Sequence, residues 1–405
     1  MINFIKNDYY SSDGEFPYEW GSLFLDSDHN IRNESENKIR IDYVDINEYY
    51  NKDDIFIYPI EIPSNMEFVH FFNNNRKINL DNILKLKKYY IMIISPNDSI
   101  VESEIAFDLI HEWCKINNIP NDKILFSYVN QMVVDDYEKW SENLQKINVF
   151  TDNWILDKFS YVLNTIKEKL VDYNDLNDKP KKYKFLSYNR SLKPHRLSFG
   201  YIMYKNNFLE KNLVSFLNHD GNKINKYLIP DADLKDFDET YSNFMSKKFT
   251  IDTDDLDKTE FMSGHFAWSQ LNKNHYLDSY FSIVTESLYD SKVVKFTEKI
   301  YKPLVNFHPF ILIGAPHSLK YLRKLGFKTF DGWIDEDYDN IECPKTRMGH
   351  ITEEIKKIDK MTDDLLLTMM SEMKPILKHN REKMIWYAKN GTRYDFFHKI
   401  LNNLG

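Results

Sequence analysis

The chain has 405 residues, more than one compact core of ordinary size holds, and this length predicts two domains. Its formal net charge of −9 disfavours a protein whose main task is to bind nucleic acid phosphates, although a local basic groove stays open. The two cysteines, Cys114 and Cys343, form no CxxC pair, which excludes a disulfide framework and a cysteine zinc site. Neither a signal-peptide core nor an apolar run of bilayer-spanning length occurs, so we expect a cytoplasmic protein without a membrane span.

The first half of the chain alternates strand and helix patterns. Residues 1 to about 40 are polar and predict irregular structure. From residue 55 onward, short runs rich in β-formers alternate with amphipathic segments, which predicts βαβ units and a parallel sheet. The predicted strands are Ile55–Tyr58, Tyr89–Ser95, Lys123–Val129 and Asn148–Phe150, and the predicted helices are Leu80–Leu86, a segment from Ser99 or Ser103 to about Asn117, and Trp154–Val171.

The polar stretch Asp172–Lys182 marks the predicted domain boundary. It has no apolar periodicity, contains Pro180, and changes from acidic to basic along its length. We therefore predict an α/β protein with an N-terminal domain of residues 1–178 and a C-terminal domain of residues 179–405. Both are expected to be Rossmann-like and doubly wound, and the last helices can cross back onto the N-terminal domain. The helices predicted near the end of the chain are Ile351–Ile358, Thr362–Met373, Pro375–Asn390 and Tyr394–Leu404.

A basic cluster follows the first predicted strand of the second half, Tyr183–Tyr188. A helix is predicted to begin at Pro194, because proline is favourable in the first turn of a helix. Asn189, Arg190 and Arg196 therefore lie where a strand ends and a helix begins. Unpaired amides and the helix dipole favour an anion at such a position, and arginine binds phosphate well. The cluster predicts a phosphate or pyrophosphate site, with a solvated basic loop as the alternative.

A second charged rim is predicted in residues 281–330. Strands at Phe281–Thr285 and Phe310–Gly314 flank a helix at Thr297–Phe307, which contains Pro303. Ligands of parallel sheets bind at the carboxyl ends of the strands, where the following helices begin. The residues that this rule places at the rim are Glu286, Thr297, Glu298, Lys299 and Gly314.

The charges of the two rims match one class of ligand. Carboxylates can bind ribose hydroxyls, and lysine and arginine can bind a diphosphate, so together they suit a nucleoside diphosphate sugar. The sequence lacks a GxxxxGK[ST] loop, a GxGxxG turn after a strand, a GxSxG elbow and an HExxH helix. The Asp252–Asp254 triplet has the form of a metal-binding DxD, but the glycine and acid of a calcium loop are replaced by Asp257 and Ser263. We therefore expect neither a metal site nor a bound cofactor.

The segment Tyr280–Pro316 resembles the donor-binding region of the family 10 fucosyltransferases. The matching pieces are Val284–Ser287, Thr297–Lys299 and His308–Pro316. Upstream, Phe185–Asn189 followed by Arg196 is similar to a second motif of that family.

The resemblance implies a GT-B glycosyltransferase, in which two Rossmann-like domains face each other across a cleft. It implies inverting transfer of a fucose-like sugar from a donor such as GDP-fucose to a hydroxyl of a glycan or similar acceptor. Carried over to this chain, it implies that Glu298 binds the donor ribose, that Lys299 and Arg196 bind the diphosphate, and that Glu286 faces the sugar or nucleoside. A metal is not required where lysine and arginine neutralise the diphosphate.

An inverting mechanism also needs a carboxylate that deprotonates the acceptor hydroxyl. Asp98 and Glu102 follow the strand Tyr89–Ser95 and are the predicted candidates, with Glu15 behind them. For each, a helix-capping or surface role is the alternative. Two other function classes stay open: a glycosyltransferase that acts on modified bases in DNA, and a non-catalytic module that binds nucleotide sugars or glycans.

Overall fold

The structure, a computed structural model, describes residues 2–5, 41–44, 54–62, 68–74, 80–95, 101–153, 155–157, 159, 163, 166–189, 193–216, 223–247, 249 and 271–392. The chain folds into two compact units. Unit 1 contains Met1–Tyr161 and Trp386–Gly405, and unit 2 contains Val162–Ile385. The predicted boundary between residues 178 and 179 thus lies inside unit 2. Unit 2 already begins at Val162. Within this segment, the Val171 amide donates a 2.9 Å hydrogen bond to Asn306 Oδ1.

Unit 1 is built on a six-stranded sheet in which every strand pair is parallel. The spatial order is β2-β1-β3-β4-β5-β6. Its strands are β1 Ile2–Ile5, β2 Ile41–Val44, β3 Ile55–Glu61, β4 Tyr89–Ser95, β5 Ile124–Tyr128 and β6 Asn148–Thr151. Its described helices before residue 150 are α1 Phe68–Asn74, α2 Asp81–Leu84, α3 Ser103–Asn117 and α4 Val133–Trp140.

The core of unit 1 follows from the apolar pattern of its elements. Strand β4 is buried along its whole length, as its continuous apolar sequence leads one to expect for a central parallel strand. Helix α3 contributes Phe107, Ile110 and Trp113, which share one helical face and pack with the same core. The predicted parallel α/β architecture of this half is therefore confirmed.

Unit 2 is built on a four-stranded parallel sheet with the spatial order β10-β9-β7-β8. Its strands are β7 Tyr183–Asn189, β8 Leu213–Phe216, β9 Ser279–Thr285 and β10 Phe310–Ile313. Its described helices before residue 330 are α5 Pro194–Lys205, α6 Phe237–Ser246, α7 Lys273–Leu277, α8 Glu298–Val305 and α9 Ser318–Lys324. Helix α10, Pro344–Asp359, and helix α11, Asp363–Asn390, follow, and α11 groups with unit 1 from Trp386 onward.

Several sequence predictions differ from the structure; the helix predicted at Ile351–Ile358, for example, begins at Pro344. Residues 1 to about 40 are predicted to be irregular, but Ile2–Ile5 form strand β1, which lies between β2 and β3 in the sheet. Four residues are too few to show a periodicity in the sequence. The predicted helix Trp154–Val171 does not reach its predicted end, because Lys167–Lys169 form a short 3-10 turn. The two helices predicted on either side of residue 374 are the single helix α11, which contains Pro375. Pro375 lacks a backbone hydrogen-bond donor, which weakens a helix. Helix α11 nevertheless continues past Pro375, and buried Leu366, Met373 and Leu377 pack on both sides of this residue.

None of the helices in the described ranges combines the length and the apolar character that crossing a membrane requires.

Candidate functional site

The strand order of unit 2 reverses between β7 and β9. The chain runs from β7 outward to β8 on one side, and then returns to the other side of β7 with β9 and β10. A parallel sheet opens a crevice at such a point, beyond the carboxyl ends of the two strands, and ligands bind there. The residues that follow β7 and β9 therefore occupy the favoured position for a binding site in this unit.

Asn189 and Thr285 join the ends of these two strands. The Thr285 hydroxyl donates a 2.6 Å hydrogen bond to Asn189 Oδ1, and Asn189 Nδ2 donates to Ser187 Oγ at 3.0 Å. Asn189 is buried. The side-chain amide of Asn189 therefore connects the ends of β7 and β9, next to which the charged residues lie.

Glu286 links the end of β9 to the beginning of α8. The carboxylate accepts hydrogen bonds from the Thr297 amide at 3.0 Å and from the Thr297 hydroxyl at 2.6 Å. Thr297 in turn caps α8, since its hydroxyl oxygen accepts a bond from the Lys299 amide. Glu286 is 1% exposed, and this burial raises the pKa of its carboxyl even though Lys299 and Thr297 act against the rise. Both carboxylate oxygens are thus engaged within the protein.

Glu298 and Lys299 form the more accessible part of the same site. Lys299 Nζ lies 2.8 Å from Glu298 Oε1 and 3.1 Å from the Thr297 hydroxyl oxygen. Burial pulls the pKa of Glu298 upward, but Lys299 and Lys302 more than offset this and hold the pKa below its usual value. The side chains of Glu298 and Lys299 are 16% and 22% exposed, so a ligand can reach both. Together with Glu286 and Thr297 they form what we call the β9–α8 site.

Arg196 lies behind this site. Its Nη2 donates 3.0 Å hydrogen bonds to the carbonyl oxygens of Thr285 and Glu286, and the residue is 2% exposed. The neighbouring His195 contacts the Glu286 carbonyl with Nε2 at 3.0 Å, and its pKa is lowered to about 3 by burial and by Arg196. These contacts hold the backbone at the end of β9. In this structure Arg196 therefore supports the strand end from inside the protein and does not present its guanidinium at the surface.

Two further buried residues extend this support. The His195 ring stacks on Tyr289 with 5.7 Å between centroids and an interplanar angle of 18°. The guanidinium of Arg347 lies 4.4 Å from the centre of the Tyr289 ring and donates to the Tyr289 carbonyl. The segment that follows Glu286 is thus packed between α5 and α10.

Gly314 follows β10, beside the end of β9. The register pairs Ile313 with Thr285, and the Glu286 amide donates to the Ile313 carbonyl at 2.9 Å. A Cβ atom at position 314 would lie 2.8 Å from Ser318 Oγ, which already donates to the Ala315 carbonyl. Glycine is therefore favoured here, because a Cβ would displace the Ser318 hydroxyl in the first turn of α9.

The remaining predicted residues lie outside the described ranges or in unit 1. Asp98, Arg190, Glu15 and the Asp252–Asp254 triplet lie outside the described residues. Glu102 is exposed in unit 1 and directly precedes α3, where its side chain does not accept a capping hydrogen bond. Within the described part of the chain, no group of three or more His, Cys, Asp or Glu side chains is arranged to hold a metal ion.

The sequence patterns did not single out Lys302 or Tyr188. Lys302 is 8% exposed, and its Nζ lies 5.8 Å from the centre of the Tyr188 ring. The spacing of residues 299 and 302, three apart in a predicted helix, indicates that the two lysines share a face. A lysine one turn into a helix is ordinarily solvated, so this spacing alone does not mark Lys302 as a site residue.

No protein-family model matches the chain. A search of the curated proteins finds no match either.

Three of the solved structures that are similar to this chain share 10 to 13% identity with it. A UDP-forming α,α-trehalose-phosphate synthase from Burkholderia xenovorans matches with a TM-score of 0.38 and 11% identity, over 89% of this chain and 76% of that one. A structure from E. coli, trehalose-6-phosphate bound with UDP-2-fluoro glucose, matches with a TM-score of 0.35 and 10% identity, over 87% of this chain and 74% of that one. A mutant of T4 phage BGT in complex with UDP-glucose matches with a TM-score of 0.36 and 13% identity, over 99% of both chains.

Proposed function

We propose that the protein is a GT-B glycosyltransferase whose unit 2 binds a nucleoside diphosphate sugar at the β9–α8 site. The observation that carries the proposal is the Glu298–Lys299 pair, which lies at the start of a helix and beside the point where the strand order reverses. Ligands with phosphate groups favour such positions in parallel α/β sheets. A carboxylate beside an ammonium group supplies what a ribose and its attached diphosphate need.

Each residue of the site has a role in this proposal. Glu298 accepts hydrogen bonds from the ribose hydroxyls, and its low pKa keeps it ionised for that purpose. Lys299 binds the diphosphate, for which it leaves its partner Glu298. Glu286 holds the Thr297 cap and so positions both. Arg196, predicted to contact phosphate, is assigned here to the strand end that its guanidinium holds.

The proposed reaction is a displacement at the anomeric carbon of the donor. The acceptor oxygen attacks the anomeric carbon of the donor, and the bond from that carbon to the diphosphate oxygen breaks. The diphosphate leaves with the bonding electron pair, and its added negative charge is stabilised by Lys299. A carboxylate takes the hydroxyl proton, for which we propose Glu102 or Asp98. By the resemblance described above, the donor is fucose-like, such as GDP-fucose, the acceptor is a glycan or similar hydroxyl compound, and transfer inverts the anomeric centre.

Calorimetric titration with GDP, UDP, GDP-fucose and UDP-glucose tests the donor site. Lys299→Met should weaken binding of the nucleotide that binds best by about 10- to 100-fold, as expected for loss of a charged hydrogen bond. Lys320→Met is the matched control, because Lys320 is an exposed lysine of α9 in the same unit. The proposal fails if none of the four ligands binds, or if Lys299→Met binds as tightly as the wild type.

Product analysis then separates the remaining possibilities. Release of sugar from the donor, or its transfer to a glycan, supports the enzyme. Transfer to modified bases in DNA would instead favour the DNA-modifying alternative. Tight donor binding with neither release nor transfer would favour the non-catalytic module. Glu102→Gln should leave donor affinity unchanged and reduce transfer by at least about 100-fold if it is the base.

A further inference from the structure

The connection from β9 to α8, residues 286–297, is described throughout and contains neither a helix nor a strand. Its two ends are bound to each other, because the Glu286 carboxylate accepts hydrogen bonds from the amide and the hydroxyl of Thr297. Such a loop keeps a large conformational entropy unless contacts also fix its middle. Glu298 and Lys299 of the β9–α8 site follow it directly, so the contacts that fix the loop also fix the start of α8.

Tyr289 fixes the middle of this loop. Its side chain is 2% exposed, and its hydroxyl donates a 2.7 Å hydrogen bond to the Pro344 carbonyl in the first turn of α10. The ring stacks on His195, the second residue of α5, with 5.7 Å between centroids. Aromatic contacts of this kind stabilise a structure beyond the burial of the ring itself. Tyr289 therefore connects the loop to the beginnings of two helices.

Arg347 holds Tyr289 from the side of α10. Its guanidinium lies 4.4 Å from the centre of the Tyr289 ring, which is a cation–π distance. Nη2 donates a 2.6 Å hydrogen bond to the Tyr289 carbonyl, and Nη1 donates to the carbonyls of Ile341 and Glu342. The side chain is 1% exposed, and this burial lowers the pKa of Arg347. Because burying a guanidinium costs free energy that these contacts must offset, its position is narrowly set.

The contacts continue from Tyr289 to the site itself. His195 Nε2 contacts the Glu286 carbonyl at 3.0 Å. The carboxylate of the same glutamate accepts the hydroxyl of Thr297, whose oxygen caps α8. An unbroken series of contacts thus leads from Arg347 through Tyr289 and His195 to the two ends of the loop. Such a series can couple the two places energetically, and the coupling is measurable.

We infer that Arg347 and Tyr289 are positioning residues of the β9–α8 site: they touch no atom of the donor, and they hold the loop in the form in which Glu298 and Lys299 bind it. The inference rests on the proposed function, because it concerns binding of the same donor. It goes further, since it assigns part of the donor affinity to a buried arginine of α10 that lies outside the site.

Calorimetric titration with the nucleotide that binds best tests this inference. Tyr289→Leu and Arg347→Met should each weaken binding by about 10-fold, because the loop loses its fixed form. Tyr289→Phe keeps the ring that contacts His195 and Arg347, so it should bind within about threefold of the wild type. Phe330→Leu is the matched control, because Phe330 is a buried ring of unit 2 that packs on Phe310, at the amino end of β10.

Urea denaturation of the same variants separates positioning from stability. Tyr289→Leu and Phe330→Leu both remove a buried ring, so both should lower the urea concentration at the midpoint of unfolding. Only Tyr289→Leu should also weaken nucleotide binding. Equal loss of affinity in these two variants, or unchanged affinity in Tyr289→Leu or in Arg347→Met, would overturn the inference.

A measurement on the wild type covers variants that do not fold. Bound nucleotide should slow hydrogen exchange of the backbone amides in residues 287–296 and also in residues 341–347, which lie outside the β9–α8 site. Residues 327–334, which include Phe330, should exchange at an unchanged rate. Protection confined to residues 297–302 would overturn the inference. Absence of nucleotide binding contradicts the proposed function, whereas tight binding without protection of residues 341–347 contradicts only the inference.

Discussion

Glu286 and Thr297 are joined by two hydrogen bonds, from the threonine amide and from its hydroxyl, to the two oxygens of one buried carboxylate. Eleven positions apart in sequence, they bring the end of β9 to the start of α8. The adjacent Glu298 is bound differently, because it faces Lys299. The two carboxyl groups of one site therefore have pKa values shifted in opposite directions.

These opposite shifts predict opposite effects of pH on stability. The pKa of Glu286 is raised above its ordinary 4.5, so the folded protein binds this proton more tightly than the unfolded chain. The contribution of Glu286 to the free energy of unfolding is full below pH 4.5 and is lost as the pH rises through the folded pKa. The pKa of Glu298 is lowered, so its contribution is present above pH 4.5 and is lost as the pH falls through the folded pKa.

Urea denaturation between about pH 3 and about pH 8 measures this contrast. The stability of the wild type relative to Glu286→Gln should fall as the pH rises. Relative to Glu298→Gln it should rise over the acidic part of the range. Each variant is the control for the other, since both replace a glutamate by its uncharged isostere. Slopes of the same sign would contradict the assigned environments.

Gly314→Ala should destabilise the protein by about 1 kcal/mol, because the added Cβ meets Ser318 Oγ. In a Ser318→Ala background the hydroxyl is absent, so the same substitution should cost less. A double-mutant cycle measured by denaturation gives the coupling between the two sites, expected within about 0.5–3 kcal/mol. Gly349 is a matched control: it lies within α10 with nothing within 4 Å of an added Cβ, so Gly349→Ala should stabilise the protein. Additive costs at positions 314 and 318 would rule out the contact.

Cys343 should be the reactive thiol of the chain. Hydrogen bonds from the hydroxyl and backbone of Thr346, together with Tyr227, lower the pKa of Cys343 to about 7, whereas burial raises that of Cys114 to about 12. Iodoacetamide labelling followed by mass spectrometry should show Cys343 reacting with a midpoint near pH 7, and Cys114 unlabelled while the protein is folded. Thr346→Val should move the midpoint to higher pH. An unmoved midpoint would show that Thr346 does not set it.

Asp157 should hold the chain beyond α11 to unit 1. Its carboxylate accepts the Thr392 amide at 2.8 Å and the Thr392 hydroxyl at 2.7 Å, and the residue is buried. Asp157→Ala leaves both donors without that partner and should cost about 1–3 kcal/mol. Limited proteolysis should then cleave the end of the chain faster. Asp178→Ala, which removes an exposed ion pair with Lys374, should change the cleavage rate little. Equal cleavage rates in the two variants would contradict the role of Asp157.

The sequence by itself determined the elements that carry the site. The strands β4, β7 and β9 follow from short runs rich in β-forming residues, and the start of α8 follows from a threonine cap; both signals are local properties. The parallel α/β class follows from their alternation. Even the grouping of Glu286, Glu298 and Lys299 follows, because the helix after a parallel strand begins near the edge where that strand ends.

Only the tertiary structure decided what each of these residues contacts. Arg196 was predicted as a surface cation from its position at a helix start, but it is buried and hydrogen bonded to the end of β9. Lys302 was not among the predicted site residues, but it lines a pocket with Lys299. The pairing of β9 with β7 sets both outcomes, through contacts between residues about 90 positions apart. Burial at such a point depends on the order of the strands in space, and local patterns in the sequence carry no information about that order.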